Sequence, residues 1–279
     1  MLVKLEKILE TEGAVGSFNV VDLDMALAII EGAEELKLPV IIGIATRHWK
    51  AARGQLLAPS ILKAIEKASI PSVLHLDHSG PKEEHIVREA LDSGFTSIMI
   101  DGSKLPFAEN AAVTANIVTL AKSYGASVEG EIGAITGVEG MVDGEHKASE
   151  SLFTDPDEAE KFVAGTGVNA LAVSIGTAHG LYKAEPVIQF DLISALKKKV
   201  PVPLVMHGAT GLSDEVMRKT IRCGIRKINY FSGLVVEAVE STGRYLETAE
   251  KPDYVAMRKT LFDGWKKLAS GQMKIYSLK

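Results

Sequence analysis

The chain has 279 residues, of which 46% are hydrophobic and 24% charged, so it is long enough to bury a large core. Its formal net charge of −5 argues against nucleic acid or an anionic membrane surface as the main partner, and no apolar run reaches the ~18–20 residues of a membrane span. The single cysteine, Cys223, excludes an intrachain disulfide and a cysteine-based zinc site; together with the absence of a signal-peptide pattern, it favours a cytoplasmic location.

The first half of the chain predicts strands that alternate with helices. An amphipathic helix is predicted over residues 1–14. Strands are predicted over residues 14–20, 39–45, 72–79, 96–100 and 127–132. Helices are predicted between them over residues 23–36, 56–68, 83–92 and 110–124, and the connector 46–55 is polar and basic. The continuous apolar run 39–45 indicates a strand that is buried on both faces.

The second half continues this alternation after a long loop. Residues 133–151 contain several glycines without a regular period, which is typical of a lid or binding loop. A helix then starts with Asp155 as its cap, Pro156 in its first position and Glu158 three residues after the cap. Strands are predicted over residues 169–175, 203–206 and 226–229, with helices after each and to about residue 268.

Eight strands that alternate with helices through short connections predict a single-domain (β/α)8 TIM barrel over residues 1–279, with additional terminal helices. A doubly wound open sheet is the competing fold. The count of eight strands, and the polar residues that follow nearly every one of them, favour the barrel.

The strand ends of such a barrel converge on one pocket. The residues that would lie on this rim are Asn19, Asp77, His78, Asp101, Glu131, His179, His207 and Asn229. Each histidine alone is more often a surface or structural residue, but three on one rim favour a metal site with an open coordination position. Such a metal polarises a carbonyl or activates a water. Along a strand, His75 and Asp77 share one face, and His78 faces the other side unless the chain turns there.

Two acidic residues are candidates for proton transfer. Asp77, beside His78, is either a general acid/base or a partner that orients an imidazole, with a turn cap as the structural alternative. Glu139 in the long loop is a base that arrives when the loop closes, or equally a solvated charge.

Glycines follow two of the histidines and indicate a phosphate site. Loops after the last two strands of a barrel often bind phosphate through backbone N–H groups. Gly208, Thr210 and the region of Asn229 fit this role, and Lys183 would add positive charge. Ordinary glycine turns are the alternative interpretation.

Several segments together resemble one known family. They are His-Leu-Asp-His at 75–78, Met-Ile-Asp-Gly-Ser at 99–103, Val-Glu-Gly-Glu-Ile-Gly at 128–133, Gly-Val-Glu at 137–139, Thr-Asp-Pro at 154–156, Leu-Ala-Val-Ser-Ile-Gly-Thr-Ala-His-Gly-Leu-Tyr at 171–182 and Pro-Leu-Val-Met-His-Gly-Ala at 203–209. From about Ser17 to Asn229 the chain resembles the class II (zinc-dependent) fructose-bisphosphate and tagatose-bisphosphate aldolases.

The resemblance implies a ligand set and two proton-transfer residues. It implies that His78, His179 and His207 hold a catalytic Zn²⁺. It further implies that a second cation, divalent or monovalent, binds at Asp101 and Glu131. Asp77 is implied as the acid/base on the aldehyde-derived oxygen, and Glu139 as the base that moves the carbon-bound proton.

The resemblance also implies the reaction and the substrate contacts. The implied reaction is reversible aldol cleavage of a ketose 1,6-bisphosphate to dihydroxyacetone phosphate and an aldehyde through a metal-stabilised enediolate, because a cation must absorb the charge of that intermediate. The residues implied to bind dihydroxyacetone phosphate are Gly180, Gly208, Ala209, Thr210, Asn229, Tyr230, Phe231 and Ser232. Members of the family are usually dimers or larger, so we expect a homodimer or homotetramer with a small sugar phosphate as its partner.

Three positions depart from the family pattern. Ala45-Thr46-Arg47-His48 replaces Ser-Glu-Gly-Ala, Tyr230-Phe231-Ser232 replaces a segment without aromatic residues, and Ser79 replaces a glycine. The zinc and proton chemistry therefore look retained, while the outer substrate contacts differ. The alternatives are an aldolase-like enzyme for another phosphorylated sugar or aldehyde, a zinc-dependent barrel hydrolase, and a non-catalytic sugar-phosphate binder. The hydrolase is disfavoured because it typically has an early His-x-His pair, which the first strands do not carry.

Overall fold

The computed structural model describes residues 1–133, 135, 153–180, 182 and 186–279. Within these residues, parallel strands pair in chain order and close into a barrel, with the last strand beside the first. The strands are β1 (Val15–Asn19), β2 (Val40–Ala45), β3 (Ser72–Ser79), β4 (Ser97–Ile100), β5 (Ser127–Ile132), β6 (Ala170–Val173), β7 (Leu204–Met206) and β8 (Ile225–Tyr230). The predicted TIM barrel is therefore confirmed.

Helices surround the barrel and extend beyond its last strand. They are α1 (Leu5–Ile8), α2 (Leu23–Leu36), α3 (Thr46–Trp49), α4 (Gly54–Lys67), α5 (Glu84–Asp92), α6 (Phe107–Ser123), α7 (Pro156–Thr166), α8 (Phe190–Lys199), α9 (Asp214–Cys223), α10 (Ser232–Thr248) and α11 (Tyr254–Tyr276). Both terminal helices α10 and α11 follow β8, as predicted. No helix in this described part of the chain carries the uncharged apolar stretch that crossing a membrane requires.

Local sequence signals explain where several helices begin. The Asp155 carboxylate accepts hydrogen bonds from the backbone N–H groups of Asp157 and Glu158, and Pro156 occupies the first position of α7, as predicted. Asp22 caps α2 in the same way, by accepting from the N–H of Met25 at 2.8 Å. These caps satisfy backbone donors that have no partner within their own helix.

The helix predicted over residues 1–14 is wrong in length, because α1 has a single turn. The segment before it instead pairs with β3, through a bridge from Leu2 to Ser72. Leu5 and Ile8 then pack with Val73 and other apolar residues at the beginning of the strands. The apolar residues of this segment thus cover one end of the barrel, which stabilises a short turn more than a longer exposed helix would.

Two other predictions differ from the structure, one for the connector after β2 and one for the end of the last helix. The basic connector 46–55 contains the short helix α3, and α4 begins at Gly54. The last helix continues past residue 268 to Tyr276, because Trp265, Ala269, Met273 and Tyr276 are buried at helical spacing.

The interior of the barrel changes from apolar to charged along its axis. Near the beginning of the strands, Val15, Ile41 and Val73 pack with one another. Further along β3, β5 and β8, side chains that follow at intervals of two residues carry charge or polar groups. These buried polar residues are His75, Asp77, Glu129, Glu131, Lys227 and Asn229. Since the strands run parallel, this polar layer lies toward their C-terminal end.

Candidate active site

The end of β3 turns two adjacent polar side chains, Asp77 and His78, toward the barrel interior. His78 has a left-handed backbone, with φ of 50°, and the pairing of β3 with β4 shifts register between Leu76 and Ser79. This bulge adds a residue, so that Asp77 and His78, although adjacent, both face the interior. A left-handed conformation is uncommon for a residue other than glycine and occurs often at functional sites. The turn that the sequence analysis left open at His78 is therefore present.

The three predicted histidines lie together at the mouth of the barrel. Nε2 of His78 is 3.0 Å from Nδ1 of His207. The ring of His179 has its centroid 5.0 Å from that of His78 and 5.7 Å from that of His207. One nitrogen from each ring falls within 4.8 Å of the others, which is close enough for shared coordination of a metal.

Hydrogen bonds to carboxylates determine which nitrogen carries the proton in two of these rings. His207 donates from Nε2 to Oε1 of Glu129 at 3.1 Å, and His78 donates from Nδ1 to Oδ2 of Asp101 at 3.3 Å. The nitrogens left with lone pairs are then Nδ1 of His207 and Nε2 of His78, which face each other. Two lone pairs at 3.0 Å repel unless a proton or a cation lies between them. This arrangement fits a metal held between the rings.

The third ring is also suited to a metal. His179 Nε2 is buried, and no group in the described ranges is within hydrogen-bonding reach of it. Burial and the neighbouring rings of His78 and His207 lower the pKa of His179 well below its usual value, so the ring is neutral. A buried polar atom without a partner is rare and fits a ligand position.

A second set of potential ligands adjoins the first. His78, Asp101 and Glu131 offer ligand atoms within 4.8 Å of one another. Burial and the charge of Asp101 raise the pKa of Glu131 to about 8. Burial opposes ionisation of Asp101 as well, but the hydrogen bond and charge of His78 and the hydrogen bonds from Ser103 lower its pKa below the usual value. Two carboxylates that repel each other in this way are suited to sharing a cation.

Both carboxylate oxygens of Asp77 accept hydrogen bonds from side-chain amides. Asn19 Nδ2 donates to Oδ2 at 2.7 Å, and Asn229 Nδ2 donates to Oδ1 at 3.0 Å. Asp77 has no solvent exposure. Its burial opposes ionisation, but the neighbouring imidazoles of His78 and His75 and the positive charge of Lys227 lower its pKa well below the usual value. The Asp77 carboxylate is thus held ionised and in one orientation beside the histidines.

A buried charged layer that the sequence analysis did not identify lies below the histidines. Lys227 forms an ion pair with Glu129, with 2.8 Å between Nζ and Oε2, and its Nζ is 3.3 Å from Nε2 of His75. The opposite nitrogen of His75 is 2.8 Å from the hydroxyl of Ser97. The signal was present, because Lys227 alternates with Asn229 along the strand predicted over residues 226–229 and so shares its face.

The loops after β6 and β7 are joined through Tyr182. The Tyr182 hydroxyl accepts a hydrogen bond from the N–H of Ala178 at 2.8 Å and lies 2.7 Å from the carbonyl oxygen of Gly208. Gly208 has φ of 73°, and a Cβ there would lie 2.3 Å from the carbonyl oxygen of Ala178, so only glycine fits. The predicted phosphate segment Gly208, Ala209 and Thr210 thus begins directly after His207 and against the loop that carries His179 and Gly180.

The aromatic pair Tyr230 and Phe231, which departs from the family pattern, is divided between two environments. The ring of Tyr230 lies in the layer between strands and helices, with its centroid 6.1 Å from that of Phe18. Its side chain is therefore turned away from the barrel interior, because Tyr230 follows Asn229 and adjacent strand residues face opposite sides. The substrate contact predicted for Tyr230 would then come from its backbone. Phe231 instead contacts His48, with ring centroids 5.0 Å apart, and Ser232 begins α10.

The segment after β2 reaches the same rim as Phe231. Thr46 donates from its hydroxyl to the carbonyl oxygen of His78 at 2.6 Å, which fixes the beginning of α3 against the end of β3. His48 and Phe231, both at positions that depart from the family pattern, therefore lie on one side of the rim. Two other predicted residues, Glu139 and Lys183, lie outside the described residues.

Comparisons with known proteins agree with this geometry. Residues 2–278 match the family model described as fructose-bisphosphate aldolase class-II. A probable fructose-bisphosphate aldolase of Bacillus subtilis (strain 168) is 37% identical over 251 residues, which cover 89% of this chain and 85% of the relative. The D-tagatose-1,6-bisphosphate aldolase subunit GatY of Klebsiella oxytoca is 38% identical over 86% of this chain and 82% of its own.

A solved structure shows the same likeness in three dimensions. The crystal structure of the YdjI aldolase from Escherichia coli K12 superposes with a TM-score of 0.87 at 29% identity, and the match covers 99% of this chain and 97% of that one. The chain therefore belongs to the class II fructose-bisphosphate aldolases, a family of lyases that is zinc-dependent in general.

Proposed function

We propose that this protein is a zinc-dependent aldolase that reversibly cleaves a ketose 1,6-bisphosphate of the fructose or tagatose type to dihydroxyacetone phosphate and an aldehyde. The observation that carries this proposal is the position of Asp77 next to His78. A buried carboxylate with two amide donors directly adjoins three imidazoles, each with a nitrogen within 4.8 Å of the other two. A cation site and an acid/base at one barrel mouth are what aldol cleavage requires.

His78, His179 and His207 are the proposed zinc ligands. Glu129 and Asp101 orient two of these rings by accepting their outer N–H groups, so that the inner nitrogens face the proposed metal position. When bound, zinc supplies positive charge beside the oxygen that becomes negative as the C3–C4 bond breaks. Asp101 and Glu131 are the proposed ligands of a second cation, which would relieve the repulsion between their carboxylates.

Asp77 is the proposed acid/base for the C4 hydroxyl group. As an ionised carboxylate it accepts the hydroxyl proton during cleavage, and it returns this proton to the aldehyde oxygen during condensation. The amides of Asn19 and Asn229 hold the carboxylate in place for both directions. Glu139 stays the predicted base for the carbon-bound proton of the three-carbon product.

The loops after β6, β7 and β8 are the proposed site of dihydroxyacetone phosphate. The proposed contacts are Gly180, Lys183, Gly208, Ala209, Thr210, Asn229, Tyr230 through its backbone, Phe231 and Ser232. Backbone N–H groups of glycine-containing loops bind phosphate well, and the beginning of a helix such as α10 adds to this preference. We further predict a cytoplasmic homodimer or homotetramer, which light scattering on the purified protein measures directly.

The test is cleavage of fructose 1,6-bisphosphate and tagatose 1,6-bisphosphate, beside C–H exchange on dihydroxyacetone phosphate, before and after metal removal with a chelator. We expect both reactions to stop on metal removal and to return with zinc. Exchange without cleavage of either sugar would show an aldolase for another aldehyde, which the contact between His48 and Phe231 on the rim favours as second candidate. Neither reaction in the zinc-loaded protein would contradict the proposal and favour a hydrolase or a non-catalytic binder.

A further inference from the structure

Lys227 is a fully buried lysine in the interior of the barrel. It precedes Asn229 by two residues on β8 and therefore lies one layer below the groups that hold Asp77. A buried ammonium group is unfavourable unless it is paired and hydrogen-bonded. Neither the proposed metal ligands nor the proposed acid/base residues account for a positive charge at this position.

The first contact of Lys227 leads to the histidine cluster. Its Nζ faces Oε2 of Glu129 at 2.8 Å, and the other oxygen of the same carboxylate accepts from Nε2 of His207 at 3.1 Å. The contact with Lys227 is an ion pair between two fully buried side chains. Glu129 thus has a positive charge at one oxygen and an imidazole N–H at the other, which fixes its orientation toward His207.

The second contact of Lys227 is with His75. Its Nζ lies 3.3 Å from Nε2 of His75, which must accept because the ammonium group only donates. The Nδ1–H of His75 then donates to the hydroxyl of Ser97 at 2.8 Å. The same Nε2 is 3.5 Å from Oδ1 of Asp77. In this tautomer Nε2 of His75 has no proton to donate to the Asp77 carboxylate, so the path from Lys227 to the reaction centre runs through Glu129 and His207.

We propose that Lys227 is a positioning residue, which fixes the orientation of Glu129 and, through it, that of His207. The inference rests on the proposed function, because the orientation of His207 matters only if the site holds a metal. It adds to that function a residue that touches neither metal nor substrate and yet determines which nitrogen of His207 is available.

The test uses Lys227→Met, Glu129→Gln and the double variant of the full chain, with zinc affinity measured by competition with a chromophoric chelator. We expect Lys227→Met to weaken zinc binding about 10-fold, as the loss of groups that orient a ligand does. Glu129→Gln should weaken it more. In this variant the Lys227 ammonium group attracts the amide oxygen, so the amide N–H turns toward Nε2 of His207. That nitrogen then accepts a hydrogen bond, and the proton of the ring stays on Nδ1, the nitrogen that the metal needs.

The double variant gives the decisive comparison. Without Lys227, the amide of Gln at position 129 is free to turn its oxygen toward His207, so Lys227→Met should strengthen zinc binding in the Glu129→Gln background although it weakens it in the wild type. A merely structural lysine would change affinity in the same direction in both backgrounds, and that result would overturn the inference. Lys259→Met, at an exposed lysine on α11, serves as the control and should leave zinc affinity unchanged.

Two further outcomes keep the inference separate from the proposed function. If a single variant is insoluble, the double variant, which carries no buried unpaired charge, is compared directly with the wild type; about 10-fold weaker zinc binding supports the inference and equal binding overturns it. The wild type could bind zinc and cleave substrate while Lys227→Met changes zinc affinity in the same direction in both backgrounds. That result refutes the role of Lys227 and leaves the proposed function standing. A wild type that binds no zinc refutes both.

Discussion

The side-chain amide of Asn229 donates a 3.0 Å hydrogen bond to Oδ1 of Asp77, from a strand 152 residues further along the chain. The partner oxygen accepts in the same way from Asn19 on β1. β1 and β8 are neighbours in the closed barrel, so both amides reach the end of β3 from the same side. The carboxylate is therefore oriented by the closure of the barrel itself, and the first prediction concerns this contact.

Asn229→Ala should lower the rate of C–C cleavage on the order of 10- to 100-fold. A hydrogen bond to a charged group contributes roughly 1.5–3 kcal/mol, and the variant leaves the buried Asp77 carboxylate with one donor fewer. Measurement of kcat for cleavage beside zinc content checks the prediction, with zinc content expected to be unchanged. An unaltered kcat would show that this amide does not orient the acid/base.

Asp77→Ala should retain zinc and the fold but lose cleavage by roughly 10²- to 10⁴-fold, the usual contribution of a general acid/base. C–H exchange on dihydroxyacetone phosphate should be affected much less, because that proton is assigned to a different base. The two rates are measured on the same preparation, and zinc content is the control. Near-normal cleavage by the variant would remove Asp77 from the mechanism.

His207→Ala should abolish tight zinc binding. The variant removes one of three imidazoles and leaves Glu129 without the N–H that it accepts at 3.1 Å. Metal analysis after dialysis checks this, with His85→Ala, at a histidine on α5 outside the histidine cluster, as the matched control that should keep its zinc. Equal zinc content in the two variants would show that the ligand assignment is wrong.

The sequence predicted the barrel and most of its rim because both depend on patterns along single strands. The start of α7 at Asp155 and the full extent of β3 follow from local rules of capping and apolar runs. The turn at His78 could not be predicted, because it depends on a register shift against β4. The pairing of Lys227 with Glu129 was equally inaccessible, since strands distant in sequence supply the two partners.

Tyr230 shows a limit of predicting individual side-chain roles from a family resemblance. Strand alternation places the side chain of Asn229 inward and that of Tyr230 outward. The family resemblance, by contrast, assigns the whole segment Asn229 to Ser232 to substrate binding. The structure separates this block into an amide on Asp77, a ring against Phe18 and a ring against His48. A resemblance by segment thus transfers the location of a site more reliably than the role of each side chain.

Tyr182→Phe should weaken the connection between the loops that carry His179 and His207. The hydroxyl accepts from the N–H of Ala178 and lies within hydrogen-bonding distance of the carbonyl of Gly208. Since a typical intramolecular hydrogen bond contributes about 1 kcal/mol, we expect a loss of roughly 1–2 kcal/mol in the free energy of unfolding. Denaturant unfolding of both proteins checks the loss, and Tyr124→Phe, at an exposed tyrosine, provides the control. Identical midpoints for Tyr182→Phe and the wild type would contradict the prediction.

Glu131 should make the stability of the metal-free protein depend on pH. Its pKa is raised from 4.5 to about 8, first by burial and then by the charge of Asp101. A carboxyl with a higher pKa in the folded state binds its proton more tightly there, so its contribution is fully present below pH 4.5 and is lost as pH rises through 8. The free energy of unfolding should therefore decrease with pH across this window, by up to about 1.4 kcal/mol per unit from this group.

Comparison with Glu131→Gln isolates this contribution from those of other titrating groups. The amide cannot ionise, so the variant in the presence of a chelator should gain stability relative to the wild type as pH increases from 5 to 8. Parallel stability curves for the two proteins would contradict the raised pKa. Addition of a divalent cation should remove the difference in slope, because a cation beside Asp101 and Glu131 stabilises the ionised carboxylate that burial disfavours.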